Sequence, residues 1–184
     1  AKKADRIAAE GLTSFVLDGN TAAMVEVNSE TDFVAKNAEF QELVKTVCST
    51  VATNKPADLD AALKLDVDGK DLATVIAEAS GKIGEKLSFR RFVVMTKEDN
   101  EVFGAYSHMG GKMTAIVKLA DADEEKARDI AMHVAACNPE YIDQNAIPQE
   151  VKDREDAVQT EIMAQDESLK SKPEKVLEEL KEET

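Results

Sequence analysis

The chain has 184 residues, of which 37 are acidic and 23 are Lys or Arg, giving a formal net charge of −14 at pH 7. This balance argues against nonspecific nucleic-acid binding, because such binding draws its affinity from cationic groups that meet phosphates. No apolar run approaches the roughly 18 residues of a membrane-spanning helix, so we expect another protein, rather than a nucleic acid or a membrane, as the partner.

The cysteines and the N-terminus bear on the compartment. Cys48 and Cys137 both lie in helical patterns and make no disulfide framework, which favours a reducing compartment. The first ten residues lack the apolar core of a secretory signal and begin without Met, so we expect the cut end of a longer chain. We predict a cytoplasmic location, or the matrix or stroma of an organelle. Nothing in the sequence indicates an oligomeric state.

The first elements are a helix and a hairpin. Residues 1–10 are rich in Ala, Lys and Arg and predict a linker helix that stops at Gly11. Two β-prone runs follow, at 12–17 and 21–28, and Gly19-Asn20 between them is a hairpin signal. The second run alternates apolar and polar residues, so we expect one of its faces to be buried.

Helices then alternate with a third strand. An apolar stripe with i, i+3, i+4 spacing predicts a helix over residues 38–51, with Asn37 as its N-cap. A short helix is expected over 58–63, a longer helix over 71–83 and a strand over 87–95. Together these elements predict a first α+β subdomain over residues 11–97.

A second subdomain is predicted over residues 98–147. Strands at 101–107 and 112–119 are joined by a Gly110-Gly111 turn, and a helix follows over 123–137. This order of strand, glycine turn, strand, acidic turn and cysteine-bearing helix repeats that of the first unit. Duplication explains the repeat, but a hairpin followed by a helix is a common arrangement, so both interpretations stay open.

Residues 148–184 have a different character. They are strongly polar, with one narrow apolar stripe over 149–169 and another after Pro173. Two such helices with a short connection predict a protruding helical hairpin. The alternative is a solvated tail that frays. The predicted fold class is therefore α+β, with two related subdomains of antiparallel sheets packed against helices and a C-terminal helical hairpin.

Signatures of enzymes are weak in this sequence. Gly110-Gly111-Lys112 lacks the first glycine and the hydroxyl of a phosphate-binding loop. Residues 66–71 resemble a calcium loop, but their glycine comes fourth instead of sixth, so we predict a polar turn with Asp71 near a helix N-terminus. His108 and His133 belong to no zinc-binding pattern. No catalytic residue, metal ligand or cofactor is predicted.

The turn Thr31-Asp32-Phe33-Val34 presents a carboxylate and a phenyl ring side by side after the second strand. In one interpretation Thr31 or Asn37 caps a helix, Asp32 lies in a first helical turn and Phe33 belongs to the core. In the other, Phe33 is an exposed aromatic anchor that enters a pocket on a partner. Asp32 would then disturb a metal or phosphate environment through its charge.

The run Val25–Asn37 resembles the signature of the elongation factor Ts family, with Ser29 where the family usually has cysteine. Further stretches match in the family's order, so the resemblance covers essentially the whole chain. They are Ala1–Ala4, Gly81–Glu85 with Arg90-Arg91, Tyr106–His108 and Ile130–Ala136.

The resemblance implies a guanine-nucleotide exchange factor for elongation factor Tu, the GTPase that carries aminoacyl-tRNA to the ribosome. Such a factor has no covalent chemistry of its own. In the family, the Asp-Phe pair of the signature enters the GTPase beside its magnesium and phosphate site, and Asp32 and Phe33 match that pair. The residues for which the resemblance implies a partner contact are Thr31, Asp32, Phe33, Val34, Ile83, Gly84, His108, Met132 and His133.

The resemblance also implies a fold of two related subdomains plus a protruding helical hairpin, which agrees with the predicted elements. The family's small N-terminal helical domain and the segment that returns after the hairpin have no counterpart here, so we expect the second subdomain to be incomplete. Two other functions remain open. One is an acidic scaffold that binds a GTPase or ribosomal partner without exchange, and the other is a metal-dependent hydrolase that uses His108 or His133.

Overall fold

Two antiparallel sheets and their covering helices organise the larger part of the chain. The computed structural model describes residues 7–165. The described residues divide into two compact units, of which the first ends at Asn138 and the second begins at Pro139. In chain order the helices and strands are β1 (Glu10–Asp18), β2 (Thr21–Ser29), α1 (Asp32–Ala35), α2 (Ala38–Asn54), α3 (Leu59–Leu63), β3 (Asp66–Val67), β4 (Lys70–Asp71), α4 (Leu72–Ile83), β5 (Ser88–Thr96), β6 (Glu101–His108), β7 (Met113–Ala120), α5 (Glu124–Cys137) and α6 (Gln149–Gln165).

The main sheet of the first unit has the strand order β1-β2-β5, with both pairs antiparallel. The predicted two-residue turn joins β1 to β2. Along the central strand β2, Ala23, Val25 and Val27 are buried, while Met24 and Glu26 between them are less deeply buried. This alternation follows from the two-residue repeat of a strand and turns one face toward the core, as predicted.

Helix α2 supplies most of the core above this sheet. It packs on β1 and β2, and α4 packs on α2. The residues of the predicted stripe are all buried: Phe40, Leu43, Val44, Val47 and Val51. Each large apolar side chain removed from water contributes on the order of 1.5–3 kcal/mol, so this helix-on-sheet contact is the main source of stability in the first unit.

Strands β6 and β7 form a second antiparallel pair that α5 covers. Every fourth residue of α5 facing the pair is a buried alanine: Ala127, Ala131 and Ala135. The small side chains let the helix approach closely, and a Cβ built on Gly104 of β6 would lie 2.0 Å from the Ala127 carbonyl oxygen. Glycine at position 104 is therefore a requirement of the packing.

Thr13 of β1 joins the two sheets. Its N–H donates to the Gly111 carbonyl oxygen at 2.7 Å, and its hydroxyl oxygen lies 2.7 Å from that of Thr114. The two sheets therefore lie together. The α+β class, with antiparallel sheets packed against helices, is confirmed.

The predicted helix over residues 1–10 is wrong in its described part. The three described residues before Glu10 lie outside regular structure, and Glu10 already belongs to β1, where it pairs with Ser29. Helix propensities differ by less than about 1 kcal/mol per ordinary residue, and pairing with β2 outweighs them. Asn28 adds to the pairing, since its side-chain amide donates to the Glu10 carbonyl at 3.0 Å. Residues 1–6 lie outside the described residues.

The second unit contains a short 3₁₀ turn, Gln144–Ala146, and helix α6. Helix α6 agrees with the first helix predicted for the C-terminal hairpin. The helix predicted after Pro173 lies outside the described residues, so the hairpin stays a prediction, as do the predicted domain boundaries. Within residues 7–165, none of the helices combines the length and the apolar character that crossing a membrane requires.

The contact between β6 and α5 predicts the effect of Gly104→Ala. We expect this variant to lose about 1–3 kcal/mol of unfolding free energy, because an added carbon must push the two backbones apart. Gly81→Ala is the matched control, since a Cβ at Gly81 meets no atom within 4 Å. Alanine within α4 should raise stability by up to about 1 kcal/mol. Urea unfolding followed by circular dichroism measures both, and equal stability of the two variants would contradict this close contact.

Candidate functional site

The signature turn, defined as Thr31–Val34, begins just after β2 and includes the start of the four-residue helix α1. Successive side chains of a helix point about 100° apart. Val34 is buried, whereas Phe33 is 78% exposed. The interpretation of Phe33 as a core residue is therefore wrong. The ring is exposed, as the alternative interpretation predicts, and Asp32 and Thr31 are exposed beside it.

Helix α2 has a cap of its own. The Asn37 side-chain oxygen accepts hydrogen bonds from the N–H groups of Glu39 at 2.8 Å and Phe40 at 3.3 Å. The predicted N-cap is therefore confirmed. Thr31 precedes α1, but its side chain makes no capping hydrogen bond. The signature turn is consequently not needed to begin the long helix.

Two glutamates that are not part of the signature turn, Glu30 and Glu85, hold the turn in place through hydrogen bonds. The Glu85 carboxylate accepts hydrogen bonds from the N–H groups of Glu30 and Thr31, both at 3.0 Å, and from the Thr31 hydroxyl at 2.5 Å. In return, the Glu30 carboxylate accepts from the Lys86 N–H at 2.6 Å. We call these four hydrogen bonds the Glu30–Glu85 clamp. The buried Ser29 adds a hydrogen bond from its hydroxyl to the Thr31 carbonyl at 2.9 Å.

Sequence reasoning did not assign a role to Glu85. Glu85 ends the stretch Gly81–Glu85 that resembles the family, and it follows Gly84, which ends α4 and so leaves Glu85 outside the helix. The partners of its carboxylate lie 54 and 55 residues earlier in the chain. No periodicity or capping pattern spans such a distance.

The clamp brings the predicted contact residues Ile83 and Gly84 to the signature turn. Gly84 ends α4 in the left-handed conformation, with φ of 92°, and its N–H donates to the Ser80 carbonyl at 3.1 Å. This conformation suits glycine, which has no Cβ to clash. The Ser80 hydroxyl donates to the Glu85 carbonyl at 2.6 Å. Ile83 is half-buried and packs against the core.

The remaining residues for which the resemblance implies a partner contact are His108, Met132 and His133, and we call these three residues the second contact group. His108 and Met132 line a pocket of about 290 Å³ among β6, β7 and α5, together with Tyr106 and Met113. The Tyr106 hydroxyl lies 3.0 Å from His108 Nδ1, and the two rings are stacked. Met132 is 46% exposed.

His133 does not line this pocket. Its Nε2 lies 3.6 Å from the Sγ atom of Cys137, one helical turn later, and both side chains are exposed. The second contact group thus stands on β6 and α5, whereas the signature turn, Ile83 and Gly84 stand on other elements. Among residues 7–165, no three His, Cys, Asp or Glu side chains are grouped so as to hold a metal ion.

Residues 66–71, which resemble a calcium loop in sequence, form a turn that caps α4. It forms the small hairpin of β3 and β4, and the Asp71 carboxylate accepts a hydrogen bond from the Thr74 N–H at 2.7 Å. Hydrogen bonding from the Thr74 side chain, together with that from its N–H, lowers the pKa of Asp71. The prediction of a polar turn with Asp71 at a helix N-terminus is confirmed.

Comparison with known proteins decides the family. The family model described as Elongation factor TS matches residues 30–182, a range that includes the signature turn and the second contact group. The chain belongs to this family. The resemblance inferred from the sequence is therefore confirmed.

Several similar curated proteins carry the name Elongation factor Ts. That of Pediococcus pentosaceus is 52% identical over 180 residues, which are 98% of this chain and 60% of that protein. That of Limosilactobacillus fermentum is 51% identical over 82% of this chain and 51% of that protein. That of Oenococcus oeni is 44% identical over 99% of this chain and 61% of that protein. The chain therefore spans only about half to three fifths of the length of these elongation factor Ts proteins.

The two thiols of this elongation factor Ts family member should react at very different rates. Cys137 is exposed. Cys48 is buried against the Ser14 and Ala23 carbonyls, and burial raises the pKa of its thiol to about 11. Because the thiolate is the reactive form, we expect one thiol per chain to react with a chromogenic disulfide in the native state and both to react in urea. The Cys137→Ser variant should show no native reaction, and rapid labelling of that variant would contradict the burial of Cys48.

Proposed function

We propose that this chain is a guanine-nucleotide exchange factor that promotes GDP release from elongation factor Tu. The observation that carries the proposal is the exposure of Phe33 on a turn that a distant segment holds in place. Membership of the elongation factor Ts family supports the same function. The acidic charge of the chain is consistent with a protein partner rather than a nucleic acid.

Phe33 is suited to enter a pocket on the GTPase. Burying a phenyl ring contributes on the order of 1.5–3 kcal/mol, and this free energy becomes available when a partner covers the ring. The signature turn is already ordered by hydrogen bonds, so binding costs less conformational entropy than ordering a free loop would. Aromatic anchors of this kind supply most of the free energy at many protein interfaces.

Asp32 adds a negative charge at the same point. Its carboxylate is exposed next to the Phe33 ring. Brought close to bound GDP, it would repel the phosphates and compete for magnesium, which binds oxygen ligands. A protein that binds the nucleotide-free GTPase more tightly than the nucleotide-bound form must weaken nucleotide binding by the same factor. Exchange by this route needs no covalent step in the chain.

The second contact group has a different proposed role. Its residues stand on β6 and α5, whereas Asp32 and Phe33 belong to α1, so it is proposed to hold the partner rather than to disturb the nucleotide. Met132, which is partly exposed, and His108, whose ring lies 3.0 Å from the Tyr106 hydroxyl, line one pocket. Flexible thioethers pack well against surfaces of varied shape.

Phe33→Ala tests the proposed role of the ring. We expect stimulated release of fluorescent GDP from elongation factor Tu to slow at least about 30-fold, because truncating an aromatic anchor costs about 2 kcal/mol or more. Unfolding free energy should change by less than about 0.5 kcal/mol, since the ring is exposed. Ile142→Ala is the control, because it also truncates a large exposed side chain, and its release rate should equal that of the unaltered chain.

Two results would contradict this proposal in different ways. Loss of the folded-state circular dichroism signal in Phe33→Ala would show that the ring is needed for folding. Binding of the unaltered chain to elongation factor Tu without faster GDP release would favour the acidic-scaffold function instead.

Met132→Ala tests the second contact group. We expect the concentration for half-maximal GDP release to rise about fivefold, corresponding to about 1 kcal/mol of lost contact, while release at saturation stays the same. Ile130→Ala is the matched control on α5, since Ile130 is 44% exposed but does not line the pocket. A fall in the saturated rate for Met132→Ala would contradict a purely anchoring role.

A further inference from the structure

We propose that Glu85 is a positioning residue that fixes the signature turn against the end of α4, so that Asp32-Phe33 and Ile83-Gly84 form one preorganised contact surface. The effect of Glu85 on GDP release rests on the proposed exchange function, but its effect on the signature turn can be tested without the partner. In this role the Glu85 side chain need not touch the GTPase.

The need for an outside acceptor arises where β2 ends. The N–H groups of Glu30 and Thr31 follow the last residue of the strand and precede α1. They therefore lie beyond the ladder of the sheet, at the start of a helix, where backbone donors lack intrahelical partners. One oxygen of Glu85 accepts from both N–H groups, and the other oxygen accepts from the Thr31 hydroxyl. Hydrogen bonds to an ionised carboxylate are stronger than those between neutral groups.

The hydrogen bonds of the clamp are reciprocal between the two segments. The Glu30 carboxylate accepts from the Lys86 N–H, so each segment sends a carboxylate to the backbone of the other. The main chain at Glu85 is held in turn by the Ser80 hydroxyl, which donates to its carbonyl oxygen. A shift of either segment would break hydrogen bonds at both ends. The two segments therefore move together.

Phe33 depends on this arrangement because α1 is very short. A helix of four residues does not persist alone, since too few hydrogen bonds offset the cost of ordering its backbone. Val34 and Ala35 attach α1 to the core, but the ring of Phe33 points outward and adds no such contact. The direction of the ring is thus set by the buried neighbours on one side and by the clamp on the other.

The first experiment measures the motion of the turn. The chain contains no tryptophan, so Phe33→Trp introduces a single fluorescent reporter at the tip of the turn. We expect Glu85→Ala in this background to increase the fast component of the fluorescence anisotropy decay, while overall tumbling stays the same. Glu78→Ala is the matched control, because it removes a glutamate that pairs with Lys70 on the exposed side of α4. The control should leave the decay unchanged.

The second experiment measures exchange with the native phenylalanine in place. We expect Glu85→Ala to reduce the rate of stimulated GDP release about tenfold. A tenfold change corresponds to the net free energy of roughly one hydrogen bond, which would no longer hold the turn in its binding conformation. Glu85→Gln should have a smaller effect, because its amide oxygen still accepts from the backbone. Thr31→Val, which removes only the hydroxyl hydrogen bond, should also fall between Glu85→Ala and the unaltered chain.

The outcomes test separately the positioning role of Glu85 and the link between positioning and exchange. Greater motion of the indole reporter together with slower release supports the inference. Unchanged reporter motion in both Glu85→Ala and Glu85→Gln would overturn it, whatever the release rates are. Greater motion with normal release would overturn the link between positioning and exchange. If Glu85→Ala fails to fold, Glu85→Gln and Thr31→Val carry the same comparison. Normal release by Phe33→Ala would instead refute the proposed function and leave the anisotropy result to decide the positioning role.

Discussion

The hydrogen bonds that the Glu85 carboxylate accepts at the end of β2 connect the fold to its candidate contact surface. The N–H groups of Glu30 and Thr31 lie beyond the ladder of the sheet, and both donate to one oxygen of this carboxylate. Because that oxygen belongs to a residue just past α4, the same contact ties the signature turn to the end of α4. The proposed contact surface, formed by the turn and the helix end together, depends on this link.

Within a few residues of the chain, the side chains that stabilise the fold are different from the one proposed to contact a partner. Asn37 caps α2, and the buried stripe of that helix holds the sheet, so neither task falls to Phe33. Val34 alone of the Phe-Val pair enters the core. An exposed phenyl ring is an unfavourable feature for an isolated protein, and it is tolerated because the core is complete without it. This separation is what makes the ring available to a partner.

Much of the fold could be predicted from patterns within single elements. The stripe of α2, its Asn37 cap, the hairpin turn before β2 and the Asp71 cap all depend on neighbours a few residues away. The helix predicted for the first ten residues was wrong in its described part because Glu10 pairs with Ser29, and propensity carries no information about that pairing. His108 and Met132 were predicted as contacts, but only the structure shows that they share a pocket which His133 does not line.

By itself, the sequence determined the family, through an ordered series of residue identities, and the elements whose signals are periodic or capping. It left the burial of Phe33 open, because two adjacent apolar residues in one helical turn point in different directions and either could face a core. It did not indicate Glu85, whose partners lie 54 and 55 residues away. Tertiary structure decided both points, since hydrogen bonds and burial across such distances depend on how whole elements pack, and local backbone geometry does not encode that packing.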